Sequence, residues 1–346
     1  MLRGKNRGTF RGKNPKLDPR VAGVIVPRVG EGRRCDSDAA AQAGRGCGMS
    51  KSHRRPQCLK PGDPVACCAP SYAVAFSELE DARKPLEARY AVRDAGGAAS
   101  AFDDEGRRAG LAAAFAPIPS TGPGHEAARA VFCSRGGYGL QRIATELVSL
   151  WDQPSPPWLV GYSDITILHM AAFRAGVQSL HAPVVKELSS LHREDLATLF
   201  ARLEGRPVAD PEGLRPLIDG HAEGLLTGGN LAVLAGLAGT GALPRFRDAV
   251  LMLEEIDEAP YRVDRFLTQL RLAGALDGVA GVVLGDFTGC GTAEDLDAVL
   301  RDRLAGLGVP VWRGLAAGHG ERKTSLPFGA RVRLGDGRLA FLDDPR

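Results

Sequence analysis

Twice in this chain a short apolar run breaks off at a sharp turn and gives way to an amphipathic stretch: "ARAVFCSRGGYGLQRIATEL", and again "WLVGYSDITILHM". Strand, abrupt turn, helix is the alternation of a sheet whose strands run largely parallel, with helices as crossovers. It confines the fold to the α/β class, and in such sheets the carboxyl ends of the strands carry the chemistry. With 346 residues, 44% of them apolar and 25% charged, there is material for two ordinary cores. No apolar run approaches the length that crosses a bilayer, so the expectation is a soluble protein without a membrane partner.

Charge is distributed unevenly. Residues 1–60 hold 15 Lys and Arg against 4 Asp and Glu, leaving 29 against 37 in the rest. The opening stretch, "MLRGKNRGTFRGKNPKLDPR" and onward, shows no apolar period, which predicts a disordered basic tail over 1–57. It lacks the aromatic interleaving of a nucleic-acid arm, so no nucleic-acid partner is expected. Synthesis starting at Met49 is an alternative account of the tail. Seven cysteines without a C-x-x-C spacing suggest neither a disulfide framework nor a zinc site, and no metal or cofactor is expected.

From residue 58 the chain reads as folded. "DPVACCAPS" predicts a buried strand, 78–116 is mixed and helical at best, "PIPSTGPGHE" is a surface loop, and "ARAVFCS" is a second strand. Leu140, Ile143 and Leu147 share one helical face, which places Gly136 and Gly137 in a strand-to-helix turn. Glycines there turn tightly and leave N–H groups free to point at an anion, although taken alone a plain tight turn is the simpler account of them.

Ser163 stands on the next such turn. A serine there holds its hydroxyl exposed while the N–H of Asp164 points into the same space, which is the geometry of a nucleophile elbow. "GYSDI" keeps the glycine two before the serine and lacks the one two after it, so a helix N-cap remains the alternative. A partner base must decide. His53, His125, His192 and His221 lie in polar sequence and read as solvated. His169 reads as a packing histidine, His181 follows a short strand and could line the site, and His319, in the Gly-rich "RGLAAGHGERKTSLPFG", is the best candidate. An orienting acid is offered by "AVLMLEEIDEAPYRVDRFLTQLRLAG", where an apolar strand ends in Glu254 and Glu255 and alternation turns only one of them inward.

The ordered stretches "LKPGDPVACCAPS", "AVFCSRGGYGLQRI", "WLVGYSDITILH", "EGLLTGGNLAVLAGLAGT", "LMLEEIDEAPYRVDRFLTQL" and "AAGHGERKTSLPFGARVRL" closely resemble the LD-carboxypeptidases, or muramoyltetrapeptide carboxypeptidases. That resemblance spans residues 58–346. It implies a cytoplasmic, homodimeric serine peptidase of peptidoglycan recycling. Such an enzyme releases the terminal D-alanine of a muropeptide tetrapeptide by cutting an L,D bond. By position it implies Ser163, Glu254 and His319 as the triad, with Gly136 or Gly137 and Asp164 as the oxyanion hole. Arg135 and Arg265 are candidates for the substrate carboxylate.

The expected architecture is an N-terminal Rossmann-like parallel-sheet domain over 58–185 and a crossover over 186–220. A smaller C-terminal α/β domain with barrel-like β content, over 221–346, then supplies Glu254 and His319. Within it, Asn230 and Thr292 are expected to cap helices, and Gly335, Asp336 and Gly337 to close a hairpin. A rival on the same scaffold resembles the microcin C immunity proteins, which cleave aminoacyl-nucleotide conjugates. A non-catalytic muropeptide-binding protein is the second alternative.

Overall fold

Strands buried on both faces read as unbroken apolar runs, and the first half of the chain is built on such strands. A computed structural model describes residues 52–74, 76–116 and 127–343. Most of the basic tail, Met49, His125 and the loop "PIPSTGPGHE" lie outside the described residues. The chain begins β1 (Pro64–Ala69), α1 (Phe76–Glu87), β2 (Ala91–Gly97), α2 (Asp104–Phe115), β3 (Ala130–Cys133), β4 (Trp158–Gly161), α3 (Thr166–Arg174) and β5 (Ser179–His181). Between β3 and β4, 3-10 turns run from Leu140 to Trp151 and bury Leu140, Ile143 and Leu147, the face anticipated for a regular helix.

The region 78–116 holds more than helix. Its strand β2, "AVRDAGG", pairs with β1 alone at the edge of the sheet and stays half exposed, so its sequence never needed an apolar run. Helix α2 is capped by Asp103, whose side chain accepts the Gly106 N–H.

The chain continues through α4 (Arg193–Leu203), β6 (Arg215–Ile218), β7 (Ala222–Asn230), α5 (Leu231–Gly236), β8 (Ala249–Ile256), α6 (Pro260–Leu272), β9 (Gly281–Thr288), α7 (Ala293–Ala305), β10 (Val311–Arg313), β11 (Leu326–Phe328), β12 (Arg331–Gly335) and β13 (Arg338–Phe341). Asn230 accepts the Val233 N–H and Thr292 the Asp295 N–H, the two caps read from sequence. β12 and β13 pair as an antiparallel hairpin across Asp336 and Gly337, both at positive φ.

Two mixed sheets result, of order β11-β5-β4-β3-β1-β2 and β13-β12-β7-β8-β9-β10-β6, one of them curled as a half-barrel. The second sheet has seven strands against six. One of its strands, β6, comes from the stretch read as crossover. In the first sheet β1 to β5 are parallel, and only β11 runs antiparallel, with Leu326 opposite His181. The chain thus returns from the second sheet to the edge of the first. That return determines where the loop before β11 lies.

Between the sheets sits α3, buried at every position from Thr166 to Ala172, as a helix apolar all round must be. Ile167 and Leu168 share one core with Val131 and Leu159 of the first sheet and Leu251 and Val282 of the second. Thr166 Oγ1 accepts the Asn230 N–H at 3.0 Å, which locks α3 to the end of β7.

Residues 52–57, assigned to the tail from sequence, are folded. His53 N–H donates to Gly329 O and Arg54 N–H to Gly176 O, and the His53 ring packs 4.5 Å from that of Phe173. His53 is therefore a packing residue and not a solvated one, and burial pushes its pKa down. Backbone pairing holds these residues, which a charge count does not detect.

Candidate active site

Strand β4 ends at Gly161, Tyr162 is extended, and Ser163 has φ +66°. A non-glycine residue in the left-handed region costs roughly 1–2 kcal/mol, and such strain persists only where the surroundings impose it. The surroundings here are tight. A Cβ on Gly136 would lie 2.9 Å from Ser163 Cβ and 3.1 Å from its Oγ, so only glycine lets the "RGGYG" turn come this close.

Asp164 fastens that turn. Its carboxylate is buried and accepts the Ser71 hydroxyl at 2.6 Å and the Leu140 N–H at 3.2 Å, joining the end of β1 to the residue after the glycines. Burial raises its pKa, opposed by those two bonds. The fully buried Arg107 braces the same corner, donating to Pro70 O at 2.6 Å and to Asp104 at 2.8 Å.

The second sheet delivers the other half. Glu254, 0% exposed on β8, has Oε2 at 2.7 Å from His319 Nδ1. Alternation separates the two acids as expected: Glu255 turns away to accept the Asn230 amide and the Ala232 N–H at the start of α5. Gly318 has φ +117°, and a Cβ there would stand 2.6 Å from Glu254 Oε2. The His319 ring centroid lies 4.8 Å from that of Tyr162, the residue before Ser163. Tyr162, Glu254 and His319, far apart in sequence, are thus brought into one region.

Lys323 holds the histidine loop to the elbow. Its Nζ donates to Gly318 O at 2.9 Å and to Tyr162 Oη at 3.0 Å, and pairs with Glu187 at 3.2 Å. Tyr162 Oη in turn donates to Glu187 at 2.6 Å. Burial, with Glu187 beside it, raises the Tyr162 hydroxyl far above its ordinary pKa, so it stays a neutral donor. Just before it in the chain, Arg322 grips Asp195 at 2.9 Å.

Of the arginines, Arg135 is half-buried beside the glycine turn, its guanidinium 5.6 Å from the centroid of the Tyr72 ring that packs on Gly137. Arg265 is exposed on α6 and lies over Tyr261 of its own helix. His169 is the packing histidine anticipated, bonded to Ser179 Oγ and Gly161 O. His181 is 2% exposed, its ring 5.9 Å from Tyr162.

Sequence reasoning passed over Ser71, Tyr162, Asp286 and Lys323. Ser71 and Asp286 had a signal, since each stands near the carboxyl end of a parallel strand, where Ser163 and Glu254 were found. Among the described residues no cluster of His, Cys, Asp and Glu is placed to hold a metal ion, and no helix is long and apolar enough to cross a membrane.

Family models agree with this layout. The LD-carboxypeptidase N-terminal domain matches residues 65–182 and the LD-carboxypeptidase C-terminal domain residues 223–334. A putative carboxypeptidase of Synechocystis is 34% identical over 85% of this chain and 99% of its own length. The murein tetrapeptide carboxypeptidase of Pseudomonas aeruginosa is 34% identical over 61% of this chain and 74% of its own. The crystal structure of muramoyltetrapeptide carboxypeptidase from Oxalobacter formigenes superposes with a TM-score of 0.67 at 30% identity, over 82% of this chain and all of that one. Fold, matched domains and full-length relatives together make this chain a member of the LD-carboxypeptidase family, and so of a family of hydrolases.

Proposed function

We propose that the protein is a serine LD-carboxypeptidase that releases the terminal D-alanine of a muropeptide tetrapeptide by cutting an L,D bond in cytoplasmic peptidoglycan recycling, acting as a homodimer. The observation that carries the reading is Ser163 at φ +66° on the β4 elbow, with the His319–Glu254 pair reaching the same elbow through Tyr162. A binder would have no need of a strained serine beside an imidazole held by a buried carboxylate.

With its Nδ1–H given to Glu254, the imidazole keeps a lone pair on Nε2. Ser163 Oγ attacks the scissile carbonyl carbon while Nε2 takes the hydroxyl proton. Backbone N–H groups of Gly136 or Gly137 and of Asp164 receive the oxyanion, each such donor being worth about 3 kcal/mol in other enzymes. Collapse of the tetrahedral intermediate breaks the C–N bond, and Nε2 returns the proton to the departing D-alanine amine. Water then attacks the acyl-enzyme, His319 again taking its proton, and Ser163 is regenerated as the tripeptide leaves. Arg135, beside the glycine turn, is the first candidate to receive the substrate carboxylate. Arg265, exposed on α6, is kept as a second candidate.

The test is D-alanine release from a diaminopimelate tetrapeptide, with Ser163→Ala beside the wild type. Release by wild type and its loss in the variant are expected. If neither releases D-alanine but wild type cleaves an aminoacyl sulfamoyl adenosine, the protein is instead the aminoacyl-nucleotide hydrolase.

A further inference from the structure

Glu254 touches the imidazole of His319, but it does not hold the loop on which that imidazole stands. Asp286 does. Near the carboxyl end of β9, it donates its own N–H to Ala317 O at 2.9 Å, and its Oδ2 accepts the Gly320 N–H at 3.2 Å. One residue therefore fixes both ends of the four-residue stretch whose third member is His319. The next strand over, β8, supplies Glu254. Two carboxylates from adjacent parallel strands thus converge on one histidine.

We propose that Asp286 is a positioning residue for His319, gripping the loop on both flanks and setting a second negative charge beside the imidazolium that forms during turnover. This rests on the reading of His319 as the base. The charged and titratable groups facing Asp286 are Glu254 from β8 and His319 and Lys323 from the loop. From the first sheet, Tyr162 and His181 also face His319. Asp286 is half-buried, and burial lifts its carboxyl to about 6, against the Gly320 bond and the Lys323 charge. Its charge is therefore present at neutral pH and lost as the solution is acidified through about 6.

Asp286→Asn removes the charge and keeps an oxygen for the Gly320 N–H. The experiment is a ¹H–¹³C NMR titration of the His319 ring in a Ser163→Ala background, with and without Asp286→Asn, alongside pH–rate profiles in the active background. Loss of a nearby negative charge is expected to move the His319 titration midpoint down by at least about 0.5 pH unit. The acid limb of kcat/KM should move the same way, kcat should fall about 3–10-fold and KM should stay within about twofold. Asp286→Glu, which keeps the charge, should leave the midpoint in place. If Asp286→Asn does not fold, Asp286→Ser gives the same reading.

A midpoint unmoved by loss of the charge overturns the inference, because a merely structural contact would behave that way. The titration needs no substrate. Failure of the wild type to release D-alanine therefore counts against the carboxypeptidase reading alone, and the midpoint still decides the role of Asp286.

Discussion

His319 Nδ1 lies 2.7 Å from Oε2 of Glu254, across 65 residues of chain, and Glu254 is fully buried near the end of its strand. A carboxylate there can only accept, so it fixes the imidazole tautomer that leaves Nε2 free.

Glu254→Gln is expected to lower kcat for D-alanine release by about 10³–10⁴-fold with KM little changed. The new amide can donate to Nδ1, which moves the ring proton to Nε2, the wrong nitrogen for a base. Steady-state kinetics check this, and a loss of under tenfold would remove Glu254 from the proposed triad.

Ser163→Gly is expected to abolish activity while making the protein more stable. Left-handed serine costs roughly 1–2 kcal/mol, and glycine returns about 0.5–1 of that through its freer unfolded chain, so the net gain is about 0.5–1 kcal/mol. In a chain of this size that raises Tm by about 1–2 °C. Calorimetry beside the activity assay measures both, and a lowered Tm would mean that the φ of Ser163 is not strained.

Acid is expected to destabilise the fold through two buried histidines. Burial holds His169 down to about 4 and His181 well below its ordinary value of 6.5. Below 6.5 the unfolded chain takes up protons that the folded one refuses. Stability that is full above that pH therefore falls between about 6.5 and 4, by about 1.4 kcal/mol per pH unit for each histidine. Asp286, raised from 3.8 to about 6, works in the opposite sense over that narrower window, and weakly because it is only half-buried. Among the described residues neither ring nitrogen of His181 has a hydrogen-bond partner, so His181→Leu should fold. Urea denaturation at pH 7.5, 6 and 5 should show a shallower fall for the variant than for wild type, and parallel curves would disprove the assignment.

Much of this was legible in the sequence, for a physical reason. Ser163, Glu254 and the glycines of "RGGYG" each follow an apolar run that must be a buried strand, and strand ends in a parallel sheet face the same space. The caps at Asn230 and Thr292 and the hairpin at Asp336–Gly337 were legible as well, because each is decided within four residues. Local chemistry suffices for such features.

What only the tertiary structure decided is which of these ends meet. β2 escaped notice because an edge strand buries too little to need an apolar pattern, and β11 because three residues carry no period. Yet it is β11, crossing back to pair with β5, that brings the loop of His319 to Tyr162 and lets Lys323 and Asp286 hold it. A residue's wish for burial or for a turn is written in its neighbours along the chain. Its partner across a sheet is set by strand order, which depends on the packing of the whole molecule and on no short stretch of sequence.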